Sequence, residues 1–388
     1  MHITRNIKLL FWFNFFSDLR LYAPIAIIYF TNITGSFALG MSIFSVVMIC
    51  SALFEIPTGI FSDRIGRRKT IICGAMAAVV ATFFYAISNT YLLLVVGAIC
   101  EGLSWSFYSG NNEALLYDTL AANGKTDEYP RQYGKITSMF QVALAISGIL
   151  GPFLAIWSFH LIMWLSVLTQ WICLALALHM VEPTVHANKS GNIYTHLIDA
   201  FKNFENNKKL RLLTISGVIG YAFGEASYQF QAAFYATLWP LWAIGIAKTV
   251  ANVEAAISFR YGHILLKKIN PFKLLIVDNV YNRIVNSIAV IFPSVFSPVL
   301  MTSSGIFFGI TSTAKNLLFQ KEFTNEQRAT MGSLGSFLGS IIFGIVAFLL
   351  GLTADKLSPA WAILLLNLFQ LVNLYFYWKL FHHENRFT

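Results

Sequence analysis

The sequence predicts an all-α membrane protein with twelve transmembrane helices and both termini in the cytoplasm. Three observations carry that prediction. The first is composition. Of 388 residues, 56% are hydrophobic and only 12% charged, against about 25% charged in soluble domains. The mean hydropathy is +0.63, and a chain this apolar could not keep its surface in water. The second is periodic length. A spanning helix needs about 20 apolar residues. Such runs fall at 8–31, 37–61, 70–89, 91–118, 136–157, 160–181, 210–237, 239–259, 272–293, 297–318, 331–352 and 359–381. The third is the placement of cations. Of 27 Lys and Arg residues, four lie well inside runs (Arg20, Lys248, Arg283, Lys315) and one, Lys356, lies in an outer loop; the other 22, including Lys8, Arg211, Lys273 and Lys379 at run ends, are on the side assigned to the cytoplasm. Positive loops face the cytoplasm, and both ends on that side require an even number of spans.

The net charge of +9 is no nucleic-acid signal, because the cations sit in short loops between apolar spans. The first apolar run extends from Ile7 to Phe30. It is long enough to span, so no removable signal peptide is expected. The expected location is a cell membrane of the prokaryotic inner-membrane kind, crossed many times. Cys50, Cys73, Cys100 and Cys173 all fall inside apolar runs, which argues against a disulfide framework and against a metal site. No cofactor is expected.

The most specific stretch is Gly59 to Thr70, GIFSDRIGRRKT, a basic turn between the second and third runs. Gly66 supplies the backbone freedom of a tight turn. The stretch fits G-x-x-x-D-R-x-G-R-[RK] at every fixed position, through Gly59, Asp63, Arg64, Gly66, Arg67 and Arg68. An ordinary positive loop explains the cations but not the two glycines and the aspartate at this spacing. That pattern resembles the loop between helices 2 and 3 of major facilitator superfamily transporters. The resemblance implies two pseudo-symmetric six-helix bundles and a pivoting, alternating-access mechanism. The expected division is 1–182, a linker 183–209, and 210–388. In the linker Ile193, Leu197, Phe201 and Phe204, with Lys202, Lys208 and Lys209, have the spacing of a surface amphipathic helix; a disordered linker is the alternative. The equivalent turn of the second half, Ser258 to Asn270, keeps Arg260, Gly262, Lys267 and Lys268 but has no aspartate. The resemblance also implies that Asp63 meets the start of helix 11 when the protein faces outward. There a carboxylate would be stabilised by free N–H groups. Arg328 could pair with Glu113 or Asp118 to complete a cytoplasmic gate; separate solvated charges are the alternative.

Ionisable residues within a span are costly and usually functional. Asp18, Arg20, Glu101, Glu225, Lys248 and Arg283 lie near mid-depth. Helices 1, 4, 7 and 10 line the cavity in the family that the chain resembles. Three helix faces there repeat one pattern: Asn14, Asp18 and Tyr22; Glu101, Trp105, Tyr108 and Asn112; Tyr221, Glu225, Tyr228 and Gln229. Each sets a carboxylate among aromatic and amide groups. This suits an organic solute that stacks and hydrogen-bonds, with Lys248 and Arg283 as further candidate contacts. Packing between helices is the alternative. Glu101, Glu225 and Asp18 are the candidates for carrying a proton, whereas Arg20 is expected to face a neighbouring helix. FEIPTG, with Glu55 and Pro57, closes helix 2 and permits a bend.

Helix 5 retains Ser147, Gly148, Gly151 and Pro152. This partly resembles the glycine-rich stretch of drug–proton antiporters and would let helices 5 and 8 pack closely. Helix 4 departs from that group: Ala98 stands where an arginine is expected, and Glu101 replaces a glutamine. Proton-coupled efflux of a small organic solute is the preferred expectation, with proton-coupled uptake as its rival. A transporter-like sensor, a channel or an enzyme fits less well. No catalytic motif or soluble output domain is evident. The expected partners are solute, protons and lipid, with no nucleic acid, for a monomer.

Overall fold

The structure, a computed structural model, describes residues 2–183, 208–322 and 325–384. The described residues are helical, without strands. The helices are α1 (His2–Asp18), α2 (Ala26–Thr34), α3 (Phe37–Ile65), α4 (Arg67–Ile87), α5 (Tyr91–Tyr108), α6 (Asn111–Ala121), α7 (Tyr129–Ala155), α8 (Phe159–His179), α9 (Lys208–Tyr235), α10 (Leu241–Leu266), α11 (Pro271–Ile291), α12 (Ser297–Thr302), α13 (Gly305–Glu322), α14 (Asn325–Lys356), α15 (Pro359–Phe369) and α16 (Leu371–Glu384). Contacts divide the chain into two units. One is Met1–Lys189 with Leu241–Ile246, the other Ser190–Pro240 with Ala247–Thr388. The amphipathic pattern through Ile193, Leu197, Phe201, Lys202 and Phe204 lies outside the described residues, as does the side chain of Lys208.

Among the described residues, eight helical segments are long and apolar enough to cross a membrane. The expected runs at 8–31, 210–237, 239–259 and 297–318 are helical but are not among them. The first and the last are broken, and the other two carry more polar residues. Helix starts are fixed by side-chain oxygens that accept otherwise orphaned N–H groups. Ser36 caps at Leu39 N, Ser158 at Leu161 N, Asn270 at Phe272 N and Ser358 at Trp361 N. The first unit packs around Leu10, Phe13, Ile71, Leu115, Leu120 and Cys173. The second packs around Leu213, Phe272, Leu275, Ala314 and Leu380. Large apolar side chains such as Leu92, Leu168, Trp171 and Ile345 point outward, as a hydrocarbon solvent permits. The four cysteines are free.

The first apolar run is not one helix. It stops at Asp18, unwinds through Leu19 to Tyr22, makes a 3₁₀ turn at Ala23–Ile25, and resumes as α2. Pro24 is the cause. It has no N–H to give to the carbonyl four residues back, and its ring clashes with that carbonyl. At membrane depth the freed backbone groups must find other partners, and α8 provides them. Leu21 N donates to Ser166 Oγ at 3.1 Å. Thr169 Oγ1 donates to Leu19 O at 3.0 Å. Gln170 Nε2 donates to Phe16 O and Ser17 O, each at 3.3 Å. Ser166 and Gln170 are fully buried. Gly151 of α7 completes the clamp, because a Cβ there would collide with the Leu21 carbonyl. The first residues of α10 also belong to this unit, and Gly245 lies against the Gly148 carbonyl in the same way. The small residues expected to let helices 5 and 8 approach therefore do meet.

We expect Gly151→Val to abolish a monodisperse peak in fluorescence-detected size exclusion. Gly134→Ala, where a Cβ would meet nothing within 4 Å, is expected to leave the peak unchanged. Gln170→Leu should fold but lose about 1–3 kcal/mol, the cost of orphaned buried carbonyls, read as a lower Tm in detergent.

Candidate functional site

The break in the first span decides where its charges go. Arg20 sits in the unwound segment and is buried. Its Nη1 pairs with Glu101 Oε1, its Nε donates to Ser17 O at 3.1 Å, and its guanidinium lies 5.8 Å from the Trp105 ring centroid. Glu101, also buried, accepts from Tyr85 Oη at 2.8 Å and from Tyr22 Oη at 3.5 Å. Both carboxylate oxygens are thus occupied by an arginine and two tyrosines. This places Glu101 in a closed network within the first unit, although sequence reasoning made it a first choice for moving protons. Arg20 faces a neighbouring helix as expected.

Asp18 is different. It ends α1, is half-buried, and its carboxylate has no hydrogen-bond partner among the described residues. The three residues expected on one face, Asn14, Asp18 and Tyr22, are divided by the break. Asn14 Nδ2 donates to Leu10 O of its own helix at 2.9 Å, Asp18 ends α1, and Tyr22 turns inward to Glu101. The second expected face is also interrupted. Glu101, Trp105 and Tyr108 lie on α5, whereas Asn112 lies on α6, beyond the break at Ser109–Gly110. Tyr108 packs edge-on against Phe13 with centroids 5.2 Å apart.

The basic turn is an internally braced cap of the first unit. Gly66 has φ +97°, a conformation that other residues rarely adopt. Glu182, just beyond α8, accepts Arg67 N at 2.7 Å and Arg68 N at 2.8 Å. It therefore supplies an anion to the positive end of α4. Arg68 Nη2 reaches Leu178 O at 2.8 Å. Arg67 pairs with Asp63 at 3.2 Å and with Asp118 at 3.7 Å, and donates to Ser62 Oγ at 2.9 Å. Buried Asn111 accepts from Ser62 Oγ at 2.6 Å and donates to Arg67 O at 2.9 Å. Asp118, offered to Arg328 by the sequence, is thus engaged by Arg67. Glu113 Oε2 is buried without a partner, Gly59 and Arg64 are exposed, and the side chain of Arg328 lies outside the described residues. Sequence reasoning missed Asn111 and Glu182.

In the second unit Glu225 accepts from Gln229 Nε2 at 2.7 Å. Lys248 is buried, donates to the Tyr228 carbonyl, and places its ammonium 3.7 Å from the Tyr228 ring centroid. The expected face of α9 is therefore partly engaged by α10. Tyr221 lies over Gly339 of α14. Arg283 is half-buried, and its Nη1 donates to Asn367 O at 3.5 Å. Among the described residues no group of His, Cys, Asp and Glu could hold a metal ion.

A search of known families matches the Major Facilitator Superfamily over residues 9–347. The chain belongs to this superfamily. It is 21% identical to the uncharacterized MFS-type transporter YxaM of Bacillus subtilis over 376 residues, covering 87% of this chain and 89% of that protein. It is 25% identical to the uncharacterized MFS-type transporter MJ1560 of Methanocaldococcus jannaschii, covering 85% and 87%. Among solved structures it is similar to the nucleoside transporter NupG, with TM-score 0.82, 14% identity, and 98% and 99% of the two chains covered. It is also similar to a bacterial homologue of the lysosomal transporter Spinster, with TM-score 0.76, 14% identity, and 98% and 97% covered. At these identities the solved structures establish the fold, and family membership establishes transport of a solute across a membrane.

The Arg20–Glu101 pair is expected to behave as a unit. Arg20→Gln should cost about 3–5 kcal/mol, because a buried charge is left alone. The double variant Arg20→Gln with Glu101→Gln should regain most of that loss in thermal unfolding. Additive losses would contradict the pairing.

Proposed function

We propose that this protein is a proton-coupled secondary transporter of a small organic solute, exporting solute in exchange for protons. It would work by alternating access between two pseudo-symmetric six-helix bundles, 1–182 and 210–388, joined by the linker 183–209. In this reading twelve spans cross a cytoplasmic membrane, both termini face the cytoplasm, and the molecule works as a monomer. The observation that carries the coupling is the contrast within the first unit. Glu101 is held by Arg20, Tyr22 and Tyr85, whereas Asp18 ends a broken helix with an unpartnered carboxylate. A carboxylate at membrane depth costs least when protonated, and it charges only when its surroundings become wet or cationic. Asp18 is therefore the group that gains and loses the proton. Arg20 is two residues away, too firmly engaged by Glu101 to neutralise it fully. Glu225, held only by Gln229, is the equivalent carboxylate of the second unit.

Tyr221, Tyr228 and Trp105 offer aromatic surface to the solute. The braced turn at Gly59–Arg68 is the rigid part of the cytoplasmic gate, with Asp63, Glu113 and Arg328 as the groups that meet and part. Uptake together with protons is the second reading. What favours it is Ala98, fully buried where a proton-relay arginine stands in drug–proton antiporters. The nucleoside transporter among the structural neighbours makes nucleosides reasonable trial solutes.

In proteoliposomes screened with nucleosides and small organic ions, an imposed pH gradient should drive solute opposite to proton flow. Movement with the protons would establish uptake instead. Asp18→Asn should keep solute counterflow but lose the response to the gradient. If Asp18→Asn responds normally and Glu225→Gln does not, the proton is carried by the second unit.

A further inference from the structure

Lys248 is a buried cation without a carboxylate beside it. It projects from α10, is 4% exposed, and belongs with α9 to the second unit. Among the described residues its Nζ donates to one acceptor, the main-chain carbonyl of Tyr228. The same Nζ sits 3.7 Å from the centroid of the Tyr228 ring. An ammonium has three N–H donors. A carbonyl and an aromatic face attract it but carry no net charge, and buried charges are ordinarily paired. The resting place of Lys248 is therefore an incomplete substitute for an ion pair.

The carboxylate that would complete it is on α9. Glu225 precedes Tyr228 by three residues, and positions i and i+3 of a helix are neighbours. Glu225 Oε1 accepts from Gln229 Nε2 at 2.7 Å, so the carboxylate leans along α9 toward the turn that holds Tyr228. The lysine and the acid are thus anchored one turn apart, each held by another group. The ring over Lys248 has room to turn aside. Tyr228 is 36% exposed, and helical side chains lie back over the preceding turn. There stands Gly224, where an added Cβ would meet nothing within 4 Å. On α9 itself Tyr221 and Tyr228 flank Glu225. α14 meets this stretch where Gly339 lies against Tyr221, and its Asp355 and Lys356 are about 24 Å further along by helical rise. α15 has no ionisable residue. Lys315 of α13 and Tyr377 of α16 approach α9 at Gly220, and Glu254 of α10 lies against Gly305. Among the described residues Lys248 is the cation placed to meet Glu225.

We propose that Lys248 is the alternating counterion of Glu225. While Glu225 is protonated, the ammonium rests on the Tyr228 carbonyl and ring. When the proton leaves to water, the ring turns over Gly224, and the ammonium moves one turn to form a Lys248–Glu225 salt bridge. The new anion thereby meets a cation already inside the unit. Lys248 is a positioning residue: it sets how readily Glu225 becomes charged. The inference rests on the reading of Glu225 as a proton-carrying carboxylate of the second unit. It also links solute to proton. Tyr228 offers its ring to the solute and holds the lysine, so a solute that engages the ring releases the counterion and favours loss of the proton, as exchange requires.

The test is the protonated-carboxyl band of Glu225 in infrared difference spectra of the full-length protein in nanodiscs. The band is identified as the one that Glu225→Gln removes, and it is compared at the pH where the wild-type band is half its maximum. Lys248→Met removes the counterion and should bring the band close to its maximum. Tyr228→Leu removes the resting ring, releases the lysine to the carboxylate, and should bring the band close to zero. Each is a change of at least tenfold in the protonation equilibrium, in opposite directions. Lys356→Met, at the end of α14, should leave the band unchanged. Lys248→Gln keeps a donor for the Tyr228 carbonyl and serves should Lys248→Met fail to fold. A band indifferent to Lys248, or moved in one direction by both variants, would overturn the pairing. Opposite changes without any gradient-driven flux would leave the pairing standing and overturn the transport reading. Gradient-driven flux that Glu225→Gln abolishes, with a band indifferent to Lys248, would do the reverse.

Discussion

The structure of the first unit depends on one constraint. Backbone groups released inside a membrane must be satisfied by protein, because lipid offers nothing. Pro24 releases them in the first span. The Ser166, Thr169 and Gln170 face of α8 takes them up, and Gly151 lets the chain come close enough for this to happen. Everything distinctive about the buried charges follows. A continuous helix would set Asp18 and Tyr22 on one face and Arg20 almost opposite. The unwound segment instead turns Arg20 and Tyr22 toward Glu101 and leaves Asp18 behind at the helix end. The unwound segment thus separates two carboxylates, Glu101, which braces the bundle through Arg20, and Asp18, to which the proposed function gives the proton.

The same logic of internal satisfaction holds at the basic turn. Arg67 is shared by Asp63, Asp118 and Ser62, and Glu182 holds the first two N–H groups of α4. The turn is therefore a preformed unit and not a loose string of cations. In the second unit some buried polar atoms lack partners, as Arg68 Nε and Glu113 Oε2 do in the first. Lys248 is absorbed by Tyr228, but Arg283 keeps a buried donor without a partner.

Much of this was legible in the sequence. The apolar runs, the cation asymmetry and the stretch Gly59–Thr70 led to the superfamily without coordinates, because each is a local pattern. The inward turn of Arg20 was anticipated in direction but not in partner. A wheel drawn through Asn14, Asp18 and Tyr22 assumes an unbroken helix, an assumption that Pro24 removes. The same error placed Asn112 beside Tyr108 across the break at Ser109–Gly110. Asn111 and Glu182 were missed because their significance is tertiary. Nothing in a single sequence shows that a glutamate after α8 reaches the start of α4, or that a lysine on α10 rests against a ring on α9.

The claim that the break divides the two carboxylates of the first unit is tested most directly by infrared difference spectroscopy of the protein in nanodiscs during a pH titration. The account predicts a protonated-carboxyl band that disappears in Asp18→Asn and persists in the double variant Arg20→Gln with Glu101→Gln. A band that survives in Asp18→Asn and is lost when Glu101 is replaced would contradict it.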